Sequence, residues 1–157
     1  MAELDAGMKH ALVDPMLPKV GESGVVLRPG RVLLIDDDSR FGHTIQDVLS
    51  ERHDVVVALN ATDALALLLG GERYDVILCD IRMPGVDGIE LHRRLHAALP
   101  REAARVVFVT SDPEAPDVLA YFKRVPNLVL AKPIELADLE SLIDRAIRAH
   151  RPVRRSA

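Results

Sequence analysis

From residue 31 onward, short apolar runs alternate with longer amphipathic stretches. The runs fall at 32–35, 54–58, 76–79, 106–109 and 128–130, each the length of a strand. Near-continuous apolar character is what strands show when both faces of a parallel sheet are covered by helices. Five such runs separated by helical stretches predict an α/β, doubly wound (βα)₅ architecture.

The helical stretches carry their own signatures. Residues 39–52 place Phe41, Ile45, Val48 and Leu49 at i, i+4, i+7 and i+8, a stripe that would face the sheet. The second helix opens at Asn60 with Asp63 three residues on, turns Ala64, Leu65 and Leu68 inward, and closes at Gly70-Gly71. A third carries Leu91, Leu95, Ala98 and Leu99 and is expected to stop at Pro100. The fourth, with Ala115, Leu119 and Phe122, lies between Pro113 and Pro126. The fifth carries Leu136, Leu139, Ile143, Ala146 and Ile147 and runs into arginines that complement a helix C-terminus.

Residues 1–30 contain Pro15, Pro18, Pro29, Gly21, Gly24 and Gly30, which break both periodicities, so an N-terminal extension is expected there. The organisation expected is extension 1–30, domain 31–148 and basic tail 149–157. A chain of 157 residues, 48% of them hydrophobic, suits one domain with a single buried core. Its 24 acidic and 20 basic residues are too balanced to suggest a nucleic-acid partner. Cys79, the one cysteine, excludes an intramolecular disulfide and a thiolate metal cluster. No basic start followed by an apolar run opens the chain, and no run approaches the ~18 apolar residues of a membrane span. A cytoplasmic location without a membrane partner is the expectation.

In open parallel sheets the ligand site forms at the carboxyl ends of the strands. Asp36-Asp37-Asp38 follow the first strand and Asp80 the third, which gathers carboxylates at one edge. Such a cluster repels itself unless a cation joins it, and carboxylates with a backbone carbonyl and water suit Mg²⁺. Thr110 after the fourth strand and Lys132 after the fifth add a hydroxyl and an ammonium, both suited to phosphoryl oxygens. Any one of these residues could be a helix cap or a loop residue. Their joint placement at four strand ends is what points to chemistry.

The segments VLLIDDD at 32–38, DVILCDIRMPGVDG at 75–88, VVFVTSD at 106–112 and LVLAKP at 128–133 resemble the receiver domain of two-component response regulators, of the chemotaxis-regulator kind. The resemblance implies a flavodoxin-like sheet in the order 2-1-3-4-5. It implies that Asp36 and Asp37 bind Mg²⁺, that Asp80 is the phosphoacceptor, and that the backbone carbonyl of Arg82 is a further metal ligand. Thr110 would be the switch hydroxyl, Lys132 the lysine reaching the phosphoryl group, and Lys132–Pro133 a cis peptide. Arg82 and Asp112 would flank the path of water to the acyl phosphate, and Ser111 would narrow the cleft slightly. A histidine kinase or phosphotransfer protein would be the donor. With no effector domain expected after the fifth helix, a downstream protein effector would read the output. The 108–133 segment is more similar to receivers attached to hybrid histidine kinases than to those of DNA-binding regulators.

One position departs from the family. Three residues before the lysine, where receivers commonly carry Tyr or Phe, stands Val129. A β-branched side chain with one restricted torsion has no ring to swing. Activation is therefore expected to move the loops at 110–116 and 132–135 more than the fifth-strand surface, with partners reading another face, around the first helix.

Two rival functions share parts of this chemistry. A phosphatase of the haloacid dehalogenase type also uses a strand-end Asp, Mg²⁺ and Lys, but its Asp-x-Asp-x-Thr motif is not met by Asp36-Asp37-Asp38-Ser39-Arg40, and no cap domain is in view. A degenerate receiver serving as scaffold is disfavoured because all the chemical positions are filled. Elsewhere, His92 and His96 at i, i+4 are read as a solvated face rather than a metal clamp. Cys79 is read as a buried, inert thiol, and Arg145, Arg148, Arg151, Arg154 and Arg155 as a basic helix end.

Overall fold

The structure, a computed structural model, describes residues 28–149; the expectations for 1–27 and for Arg151, Arg154 and Arg155 lie outside the described residues. Five strands, β1 Arg31–Ile35, β2 Asp54–Ala58, β3 Val76–Asp80, β4 Val106–Thr110 and β5 Val129–Ala131, form one sheet in the order β2-β1-β3-β4-β5. Every pairing is parallel, so each connection crosses over the sheet through a helix. The doubly wound architecture and strand order expected from the sequence are those observed.

Alternation along the strands divides the core in two. Val32, Leu34, Val76, Leu78, Val107 and Val109 point to one face, covered by α1 Ser39–Leu49 and α6 Leu136–Ala149. Leu33, Ile35, Ile77, Cys79 and Phe108 point to the other, covered by α2 Ala61–Leu69, α3 Gly88–Ala98, α4 Pro100–Ala103 and α5 Pro116–Phe122. β3 is buried along its whole length at the centre of the sheet. The acceptor candidate Asp80 is therefore fixed by a strand packed on both faces.

Several boundaries differ from those the periodicity predicts. The first helix ends at Leu49, whose carbonyl accepts the N–H groups of Arg52 and His53 as the chain turns into β2. Pro100 does not stop helical structure; it occupies the first turn of the short α4, where its missing N–H costs nothing. Among the described residues six helices result instead of five. In α5 the buried residue is Val118, while Leu119 is exposed, and Val48, Ala98 and Leu136 also point outward. Gly42, rather than Val48, lets α1 approach the sheet, since a Cβ there would stand 3.1 Å from Val57.

Packing begins ahead of β1. The Arg28 guanidinium pairs with both carboxylate oxygens of the buried Asp75 at 2.6 and 3.0 Å, and the Gly30 N–H donates to His53 Nδ1 at 3.0 Å. These contacts lie at the amino ends of the strands, opposite the Asp80 rim.

Candidate functional site

Four strand ends converge on one rim. Asp36 follows β1 directly, is buried, and divides its carboxylate between the Asp38 N–H at 2.9 Å and the Lys132 ammonium at 2.8 Å. Asp37 is exposed. Asp38 is turned away as the cap of α1, accepting the N–H groups of Arg40 and Phe41. Asp80 and Thr110 are the last residues of their strands rather than the first residues after them. Lys132 follows β5, its ammonium 3.6 Å from Asp80 Oδ2 and 4.4 Å above the ring of Phe41. The Lys132–Pro133 peptide is cis.

Asp36, Asp37 and Asp80 each bring one carboxylate oxygen within 4.8 Å of the others. Burial, and after it the charge of Asp36, push the Asp80 carboxyl up to about 6, while Lys132 and the Arg82 N–H, 3.4 Å from Oδ1, oppose that rise. Burial also works against the Lys132 ammonium, yet its hydrogen bond to Asp36 and the charge of Asp80 outweigh it and hold its pKa above the ordinary value. Burial and the Asp36 carboxylate thus disfavour the Asp80 charge more than one lysine favours it. An all-oxygen donor set this tight and this negative fits a hard cation such as Mg²⁺.

Residues 32–144 match the family described as the response regulator receiver domain. The chain belongs to that family. This receiver domain is 28% identical over 127 residues to the transcriptional regulatory protein FixJ of Bradyrhizobium diazoefficiens, covering 81% of this chain and 61% of that protein. It is 31% identical over 132 residues to AruR of Pseudomonas aeruginosa, covering 81% of this chain and 53% of the relative. Among solved structures, a response regulator receiver domain protein from Clostridium thermocellum aligns with a TM-score of 0.64 and 27% identity, over 76% of this chain and 95% of that one. The chain spans about half the length of these curated relatives, 61% and 53%.

Within the receiver domain, the other residues singled out by sequence fall in different places. The Thr110 hydroxyl is buried and accepts the Asp112 N–H at 3.1 Å, so it is engaged inside its own loop. Arg82 sends its side chain outward to Asp117, making two 2.8 Å hydrogen bonds. Cys79 is fully buried and its thiol is pushed up, chiefly by burial. Arg145 and Arg148 lie exposed on α6.

His92 corrects both sequence readings. It is buried, with Nδ1 hydrogen-bonded to the Tyr121 hydroxyl and Nε2 3.2 Å from the Ala103 carbonyl, while His96 is exposed. Burial lowers its pKa, so the neutral ring can donate from Nε2 to Ala103 and accept from Tyr121. It stands among Phe108 and Tyr121 in edge-to-face contacts, with Phe122 packed on both. The i, i+4 histidine spacing masked this, because both partners come from other elements, Tyr121 on α5 and Ala103 on α4. Sequence reasoning also missed Asp117; an acidic residue in the first turn after Pro116 was the available signal.

Proposed function

We propose that this domain is a phosphorylation-dependent switch in a two-component phosphorelay: Asp80 takes a phosphoryl group from a histidine kinase or phosphotransfer protein, and the change is read by a downstream protein effector in the cytoplasm. The observation that supports this best is the Lys132 ammonium lying between the Asp36 and Asp80 carboxylates, at 2.8 and 3.6 Å. That arrangement sets an ammonium beside a carboxylate held at the end of a fully buried strand, the pair that acceptance of a phosphoryl group would need.

The Asp80 oxygen attacks phosphorus, the bond from phosphorus to the donor breaks, and the donor leaves with the electron pair. Lys132 hydrogen-bonds the transferred oxygens, exchanging part of its contact with Asp36 for them. Thr110 reaches the phosphoryl group by giving up the Asp112 N–H, which moves the 110–116 loop. Asp36, Asp37, Asp80 and the Arg82 carbonyl would hold Mg²⁺, which would supply positive charge where an anionic carboxylate meets an anionic donor. Regulators such as NtrC of Proteus hauseri, named as DNA-binding, are covered over 26% of their length; we assign any nucleic-acid contact of theirs to sequence outside the matched region.

The direct test is a phosphate-affinity gel after acetyl phosphate and Mg²⁺. A stoichiometric shift supports the switch, an unshifted band supports a scaffold, and turnover of excess substrate supports a phosphatase. Asp37→Asn removes one anionic ligand from a small set, so about a tenfold weaker Mg²⁺ affinity is expected by titration. Unchanged affinity would exclude Asp37 from the metal.

Val129 lies half-buried in β5 opposite Phe108, with no aromatic ring at that position. We therefore propose that activation moves residues 110–116 and 132–135 more than the β5 surface, and that partners read the face around α1. Amide shifts on adding beryllofluoride test this. Distant shifts concentrated on α5, β5 and α6 would overturn it.

A further inference from the structure

Arg82 stands two residues beyond the proposed acceptor, and its N–H is 3.4 Å from Asp80 Oδ1. Its side chain is nevertheless held elsewhere. Both terminal nitrogens pair with the two carboxylate oxygens of Asp117 at 2.8 Å, so one face of the guanidinium fork is saturated by a residue 35 positions away. Two further carboxylates, Asp87 and Asp112, add to the negative field around Arg82. Asp87 is engaged as the cap of α3, accepting the Glu90 N–H. The direct hold on the fork is Asp117.

We propose that Asp117 is a positioning residue for phosphoryl transfer at Asp80, parking the Arg82 guanidinium away from the acceptor so that Lys132 is the side-chain cation that serves the incoming phosphoryl oxygens. This rests on Asp80 being the acceptor. A bidentate guanidinium matches phosphate as well as it matches carboxylate. Asp117 and an incoming phosphoryl group therefore compete for one fork. While Asp117 holds it, a small anionic donor meets less positive charge at the rim. Water also keeps its approach to the acyl phosphate, where it attacks phosphorus, the phosphorus–Asp80 oxygen bond breaks, and inorganic phosphate leaves with the carboxylate restored.

Asp117 is half-exposed, and Asn preserves its shape while removing the charge that holds the fork. In Asp117→Asn the half-saturating acetyl phosphate concentration is expected to fall, and the phosphoryl lifetime to lengthen, each by roughly three- to fivefold, the scale of an exposed charged contact. Asp117→Glu keeps the charge and should stay near the original values. Within an Arg82→Ala background, Asp117→Asn should change neither quantity, an outcome that a loosened helix would not produce. If the original protein labels at Asp80 but Asp117→Asn leaves both quantities unchanged, or shifts them equally in the Arg82→Ala background, the inference fails. If the original protein does not label at all, it is the acceptor assignment that fails.

Discussion

Asp80→Asn is expected to abolish phosphoryl labelling and, in metal-free protein near pH 8, to make the fold more stable. Labelling is lost because the amide keeps the shape of the side chain without its nucleophilic charge. The gain in stability comes from the same carboxylate. Its folded-state value of about 6 lies above the ordinary 3.8, so between those values the native state binds more protons than the unfolded chain. Stability therefore falls as pH rises through that window. The penalty is absent below the lower value and complete above the upper one, amounting to on the order of 3 kcal/mol. Asn carries none of it. Urea unfolding should show the variant ahead at pH 8 and level with the original protein near pH 3.5, and Mg²⁺ should stabilise the original more than the variant. Retained labelling would move the acceptor elsewhere, and equal midpoints at pH 8 would mean that Asp80 is not strained by its neighbours.

Gly88→Ala should be the most damaging single methyl in the domain. A Cβ at Gly88 would lie 2.4 Å from the Asp80 carbonyl oxygen and 2.9 Å from the Ile81 Cα. Both are backbone atoms at the end of β3, so no rotamer change relieves the overlap. The Gly88 N–H also donates to the Ile81 carbonyl at 2.9 Å, tying the start of α3 to that strand end. Forcing them apart is expected to cost about 3 kcal/mol and to slow labelling, because the displaced peptide carries Asp80. Gly42→Ala meets only the Val57 side chain at 3.1 Å and should cost far less. Similar unfolding midpoints for the two variants would refute the argument.

The architecture was legible because β1, β3 and β4 are covered on both faces, and a run such as Val76-Ile77-Leu78 has no other use in a small domain. The carboxylates, Thr110 and Lys132 were legible as positions, since strand ends fix which residues can meet. Orientation was not. Asp38 has the same composition signal as Asp36 and Asp37 yet caps α1, a distinction set by the turn after β1. His92 read as solvated because no third metal ligand was in view beside His96, whereas its environment comes from Phe108 and Tyr121, 16 and 29 residues away. Leu119 and Val118 exchanged roles because α5 has only 7 residues, too few for a stripe to declare its face.

The aromatic cluster also gives the molecule an optical property. With no tryptophan and two tyrosines, its near-ultraviolet emission comes from Tyr74 and Tyr121. Tyr74 is buried at the amino end of the sheet beneath Arg31, far along β3 from Asp80. Tyr121 sits one turn after Asp117 on α5 with its phenol held by the His92 imidazole, a proton acceptor that quenches phenol fluorescence. A displacement of α5 that separates the two rings is expected to brighten the protein, so that the state of that helix could be followed in unlabelled material by its own light.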